Sequence, residues 1–194
     1  DQHRKLFRTF ATPEVAEQLL REGFALGGKY VTASVMFADI RSFTSLSEKQ
    51  EPTDTIELLN NYFALMFDAI TGHGGVVNQM IGDGLMAIFG APLPVTEPPL
   101  AAVRAALDMI EMIELFNVER ASEKKPPIAI GIGIATGEMI AGYTGTQKRA
   151  TYTCVGDTVN LAARLEAQTK VAQRAILLDG GTRLIGRALP IARH

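Results

Sequence analysis

Apolar and polar positions change period several times along the 194-residue chain. Val31 to Ala38 is apolar enough to be buried on both faces, which predicts an interior strand, and the run closes on Asp39. Phe43 and Leu46 continue at helical spacing until Pro52, a short helix. Thr53 then reads as the cap of a long helix whose apolar positions are Ile56, Leu59, Phe63, Met66, Phe67 and Ile70. Two apolar runs, Val76 to Met80 and Leu85 to Phe89, flank Gly82-Asp83-Gly84, a hairpin signal because glycine supplies the positive φ of a tight turn. A second long helix is predicted from about Leu100 to Val118, with Val103, Leu107, Ile110, Ile113 and Phe116 on one face.

Ile128 to Ala135 alternates strictly, isoleucine on one face and Ala or Gly on the other, so the small face admits a close backbone or a ligand. Gly137 and Glu138 are expected to turn the chain into a further strand, Met139 to Tyr143. A polar, basic loop from Gly145 to Arg149 and an extended stretch from Thr151 to Val155 follow. Asp157 is expected to cap a helix through Glu166, before a strand at Ala175 to Leu178 and a short helix at Gly180 to Ile185. Ahead of all this, Thr12-Pro13 opens a short helix with Val15, Ala16, Leu19 and Leu20 on one stripe, ended by Gly23. Residues 1–27 are therefore expected to be a helical connector and 28–194 the main domain. The element order predicts an α+β fold with a ferredoxin-like, palm-like βαββαβ core: a mostly antiparallel sheet flanked by helices.

With 47% hydrophobic residues the chain can bury one substantial core. Its net charge of −2, with both signs interspersed, carries no basic stripe of the kind that binds nucleic acid. The single cysteine, Cys154, lies in an apolar run and reads as a buried structural thiol, which excludes a disulfide framework and points to a reducing, cytoplasmic setting. No apolar run reaches the roughly 20 residues that span a bilayer, so no membrane contact is expected of this segment. The first residue is Asp1 rather than methionine, consistent with an excised piece of something longer that leaves room for a sensor or membrane tether upstream.

Two carboxylates stand out. Asp39 falls where a strand gives way to a helix, and Asp83 sits in the hairpin turn. A carboxylate ending a buried strand is costly to desolvate unless a cation neutralises it, and two that a sheet could bring together point to a shared cation and nucleotide chemistry. Taken alone, Asp83 is also an ordinary turn aspartate, and Asn160 and Arg164, which share a helix face, also read as a polar flank with Arg164 paired to a surface acid. His73, in Gly72-His73-Gly74-Gly75, reads as a solvated loop histidine.

The stretches Phe37-Ala38-Asp39-Ile40-Arg41-Ser42-Phe43-Thr44, Ile81-Gly82-Asp83-Gly84-Leu85-Met86-Ala87-Ile88-Phe89-Gly90, Ala135-Thr136-Gly137-Glu138 and Tyr152-Thr153-Cys154-Val155-Gly156-Asp157-Thr158-Val159-Asn160-Leu161-Ala162-Ala163-Arg164-Leu165-Glu166 resemble, in order, the class III adenylate/guanylate cyclase catalytic domain. The resemblance implies an adenylate cyclase that converts ATP to 3′,5′-cyclic AMP and pyrophosphate. It implies two divalent cations, Mg2+ or Mn2+, held by Asp39, Asp83 and the Ile40 carbonyl, serving in-line attack of the ribose 3′-hydroxyl on the α-phosphate. Phe43 and Thr44, after Ile40, would meet the phosphates through their amides. Asn160 would orient the ribose and Arg164 would stabilise charge at the α-phosphate, both from the opposite subunit of a head-to-tail homodimer. The small-residue faces and the arm from Tyr143 to Arg149 are the expected dimer surface.

Three departures from the family pattern bear on this. Gln79 stands where adenylate cyclases usually place lysine against the purine, and Thr153 where they commonly place aspartate. A glutamine amide can serve adenine or, flipped, guanine, so a guanylate or dual-specificity cyclase is one alternative and a silent nucleotide-binding or dimerisation module another. The phosphate-gripping lysine of the family lies past the position of His194, so either this piece is cut short of it, or Lys148 and Arg149 substitute, or activity is weak.

Overall fold

The computed structural model describes residues 27–146 and 149–182, with the backbone alone at 149 and 150. The elements are β1 (Gly27–Ile40), α1 (Phe43–Glu48), α2 (Pro52–Gly72), β2 (Val76–Ile81), β3 (Gly84–Phe89), α3 (Pro98–Ser122), β4 (Ile130–Thr146), β5 (Arg149–Val155), α4 (Asp157–Ala172) and β6 (Ile176–Leu178). They build one sheet in the order β2-β3-β1-β4-β5, with β6 alongside β4. Among the described residues only the β4–β6 pair is parallel. The interleaving of β1, β2, β3 and β4 is the expected ferredoxin-like core, to which β5, α4 and β6 are added.

β1 lies between β3 and β4 and is buried on both faces from Ala33 onward, apart from partial exposure of Phe37 and Asp39. Its alternation sorts side chains into two cores. Met36, Ala38 and Ile40 pack with α2 and α3, whereas Ala33 and Val35 pack with α4. Asp39 shares the parity of Ala33 and Val35, so it projects toward the α4 layer.

β4 pairs with β1 without interruption from Gly27↔Tyr143 to Ile40↔Ile130. Gly137 and Glu138 therefore do not turn the chain. Both are ladder residues of one long strand, because a glycine in a strand that pairs on both sides serves close packing as readily as a bend. Ile128, Ile130, Ile132 and Ile134 fill the α2–α3 core. The opposite, small-residue face receives α4: a Cβ on Gly133 would lie 2.3 Å from the Glu166 nitrogen and 2.4 Å from the Ala162 carbonyl. This stretch is thus an intramolecular seat for a helix and not part of a dimer surface.

The helices start earlier than expected. Pro52 occupies the first turn of α2 with Glu51 as N-cap, in place of Thr53, and Pro98 and Pro99 open α3. Proline suits a first turn because its missing N–H would find no partner there. Gly156, at φ 139°, caps α4 instead of Asp157, which sits in the first turn. The buried face of α2 is Leu58, Tyr62, Met66, Ala69 and Ile70, while Ile56 and, on α3, Leu107 are exposed. His73 is not a free loop histidine: its Nε2 meets Asp108 Oδ2 and ties the end of α2 to α3. The expected N-terminal helix and the end of the helix predicted to Ile185 lie outside the described residues.

The Gly133 contact yields a stability prediction. Gly133→Ala drives a methyl into helix backbone that cannot swing aside, so a loss of about 3 kcal/mol is expected in urea denaturation. Gly72→Ala, which meets nothing within 4 Å, is the control and should lose none.

Candidate active site

The end of β1 and the β2–β3 turn meet. Gly82, at φ 59°, makes the tight turn and leaves Asp83 at its tip. Asp83 Oδ2 accepts the backbone N–H of Ile40 at 3.0 Å. That bond brings Asp83 beside Asp39, as the sequence reading required. After Ile40, Ser42 adopts a left-handed conformation (φ 54°, ψ 34°) as N-cap of α1 and makes no side-chain capping bond. The first amides of α1, those of Phe43 and Thr44, are left without an intrahelical partner. Arg41 is fully engaged in structure: its backbone N–H reaches the Ala129 carbonyl at 2.7 Å, and its guanidinium reaches the carbonyls of Thr169 at 3.0 Å and of Arg174.

A third carboxyl group joins them. Glu166, on α4, is hydrogen-bonded to Asp39, and its carboxyl is pushed up to about 8, first by burial, then by that bond and by the negative charges of Asp39 and Asp83, with Arg41 opposing. Burial and, to a lesser degree, Asp39 also raise Asp83, against the pull of the Ile40 amide. Behind them lies Tyr62, fully buried on α2, whose hydroxyl has no hydrogen-bond partner among the described residues. Desolvation and the three carboxylates hold that phenol well above its ordinary 10.0.

Neither Glu166 nor Tyr62 was singled out from sequence. For Glu166 there was a signal: it lies four residues after Ala162 and three before Thr169, on the stripe that faces the sheet, where an acid is costly without a partner. Tyr62 carried none, since an aromatic on an amphipathic helix reads as core.

The remaining candidates lie elsewhere on the chain. Asn160 and Arg164 are exposed on α4, and among the described residues Arg164 has no acidic partner, so the surface ion pair is not formed. Gln79 is exposed on β2 and Thr153 half-buried on β5. The sheet curls enough for Asn78 Nδ2 to donate to the Tyr152 carbonyl at 3.5 Å. Lys148 and the Arg149 side chain lie outside the described residues. Cys154 is buried, with its thiol pushed up to about 11 by desolvation, as suits an inert structural residue.

The donor set fits a hard divalent cation. Its two carboxylates offer oxygen ligands, and the raised Asp83 and Glu166 carboxyls together with the Tyr62 hydroxyl, unpartnered among the described residues, mark an excess of negative charge held away from water. Among the described residues no three His, Cys, Asp or Glu side chains converge to hold one ion, which leaves Glu166 beside the pair and outside it.

The palm-like sheet carries one aspartate at the end of β1 and another in the β2–β3 turn, and comparison with known proteins gives the family. The family model described as "Adenylate and Guanylate cyclase catalytic domain" matches residues 28–184, and the chain belongs to that family. Adenylate cyclase 1 of Rhizobium meliloti (strain 1021) is 34% identical over 172 residues, 86% of this chain and 26% of that protein. Among solved structures, the adenylyl cyclase CyaB from P. aeruginosa matches with a TM-score of 0.76 and 33% identity, over 84% of each chain. The guanylyl cyclase Cya2 matches with a TM-score of 0.74 and 34% identity, over 81% of this chain and 79% of the other. The chain spans about a third, or less, of the length of the curated relatives it matches. None of its described helices is long and apolar enough to cross a membrane.

The raised carboxyl makes stability depend on pH. In metal-free protein Glu166 holds its proton up to about 8 when folded but only to the ordinary 4.5 when unfolded. Its contribution is therefore complete below 4.5 and lost as pH rises through 8. Glu166→Gln, which does not titrate, should flatten the fall in urea midpoint between about pH 5 and pH 8 in the presence of a chelator. Equal slopes for the two proteins would remove Glu166 from the list of desolvated acids.

Proposed function

We propose that the chain is an adenylate cyclase that converts ATP to 3′,5′-cyclic AMP and pyrophosphate at sites shared between two copies. The observation that carries this reading is the separation of the parts. Asp39 and Asp83 meet at one end of β1, whereas Asn160 and Arg164 project from the outer side of α4 with no side-chain partner among the described residues. A second copy supplies the complement.

Asp39, Asp83 and the Ile40 carbonyl would hold Mg2+ or Mn2+. When bound, such ions neutralise phosphate charge and acidify a hydroxyl. The amides of Phe43 and Thr44 hold phosphate oxygens, as helix starts do. Asn160 holds the ribose so that its 3′-oxygen lies in line with the α-phosphate. The new O3′–P bond forms as the bond to pyrophosphate breaks, and the hydroxyl proton leaves to solvent. Arg164 offers two N–H donors to the negative charge that builds on the α-phosphate. Gln79 and Thr153 read the purine.

Support for a second copy comes from an exposed apolar row. Tyr30, Ile140 and Val155 are direct cross-strand neighbours on β1, β4 and β5, and are 72%, 38% and 55% exposed. Such a row on a sheet face is an association surface. Leakage to GTP is the second reading, favoured by Gln79, whose amide can rotate to present donor or acceptor.

Two experiments test these roles. Asp39→Ala and Arg164→Ala should each lower turnover by about 100-fold or more. Mixing the two inactive chains should restore about a quarter of wild-type activity, because half of the dimers are mixed and each of those has one intact site of two. No rescue would place both residues in one chain's site. Gln79→Lys should raise the ratio of cyclic AMP to cyclic GMP formed from equal ATP and GTP, by about tenfold. An unchanged ratio would mean that the base is read by other residues.

A further inference from the structure

α2 and α3 cover the face of the sheet away from the one toward which Asp39 projects. They run in opposite directions: His73 ties the end of α2 to Asp108 of α3, and the first turns of α2 lie beside the last turns of α3. Between those turns is a cavity of about 180 Å³. A single water needs roughly 10–15 Å³ on the same measure, so the space is that of a small organic molecule.

Arg120 forms the floor. It is 5% exposed. Its Nε donates to the Pro126 carbonyl at 2.8 Å, and its guanidinium carbon lies 5.7 Å from the centre of the Phe116 ring. Among the described residues no carboxylate is ion-paired with it, and its Nη2 is buried without a hydrogen-bond partner. Glu123, one turn on, is taken by Lys125 at 2.8 Å. A tie to the loop needs only Nε. The rest of a buried guanidinium, with neither counter-charge nor acceptor, calls for an anion.

The mouth has the opposite sign. Asp54 and Glu57 of α2 and Glu119 of α3 line the cavity and are exposed. With Lys125 paired to Glu123, Lys124 is the lysine left to face those three carboxylates. A simple anion would have to pass them to reach Arg120. A molecule with a carboxylate at one end and an ammonium at the other suits both levels, the carboxylate down on the guanidinium and the ammonium at the rim. Leu58 and the Phe116 ring offer apolar cover to the carbons between.

We propose that this cavity binds a small zwitterion of the α-amino acid class, with Arg120 on its carboxylate and Asp54, Glu57 and Glu119 around its ammonium. The site is separate from the aspartate pair, on the other side of the sheet, and does not depend on the cyclase reading.

The test is isothermal titration of the full chain with the common α-amino acids, one at a time, and with acetate and ethylamine as the separate halves of the zwitterion. At least one amino acid should bind with a dissociation constant of about 1 mM or tighter, and each half at least about tenfold more weakly. Arg120→Met keeps an apolar stem, removes the buried charge and should weaken that amino acid by about 30-fold or more. Should it lack a cooperative urea transition, Arg120→Lys, which loses the planar fork, takes its place with an expected loss of about tenfold. Asp54→Asn and Glu119→Gln, at exposed positions, should each weaken binding by about threefold, and Asp39→Asn should leave it unchanged. Absence of binding, acetate as tight as the amino acid, or indifference to the Arg120 substitution overturns the proposal. So does indifference to both rim substitutions, which removes the ammonium contact, or loss in Asp39→Asn, which places the ligand at the aspartate pair.

Discussion

The hydrogen bond from the Ile40 amide to the Asp83 carboxylate joins two parts of the chain that are distant in sequence, the end of β1 and the tip of the β2–β3 hairpin. Its geometry depends on the sheet register. Ala38 lies opposite Leu85 and Ile40 opposite Ile130, so the hairpin tip and the start of β4 both end level with Asp39. A slip of one residue in either pairing would turn Asp39 to the other face, into the apolar core with α2 and α3, where no partner awaits it. The site thus inherits its precision from the apolar packing that sets the register.

Burial is both what assembles the site and what makes it demanding. Asp39, Asp83 and Glu166 are brought together in surroundings that raise the last two toward neutrality, with an unpaired Tyr62 hydroxyl behind them. Apolar side chains of comparable size would pack there at lower cost. Keeping acids in such a place is reasonable when a cation and a polyphosphate complete the charge balance. Cyclase membership supplies that context.

Much of this was legible in the sequence because local chemistry and tertiary demand coincide. Glycine at Gly82 and a carboxylate at Asp83 announce both the turn and the site, and the alternation of Ile128 to Ala135 shows which side is core. What escaped detection depended on contacts between distant segments. Gly137 looks like a turn until β1 is seen to pair through it, and Pro52 looks like a terminator until Glu51 caps α2. His73 gains Asp108 only when α2 and α3 pack side by side. Glu166 reads as the last residue of a motif, because the glycines that admit its helix lie on β4, more than thirty residues earlier in the chain. Gln79 and Thr153, the residues expected to read the base, are named by resemblance alone.

The central claim is that two copies of this chain form a working site from parts that neither holds alone. Its most direct measurement is the formation of cyclic AMP and cyclic GMP by the purified chain, with Mg2+ and with Mn2+, over a wide range of protein concentration. The account predicts cyclic AMP as the main product and a specific activity that climbs with protein concentration to a plateau, as mass action requires of a site shared by two subunits. Specific activity independent of concentration in a chain that sediments as a monomer, or metal-dependent nucleotide binding with no product from either nucleotide, would contradict it.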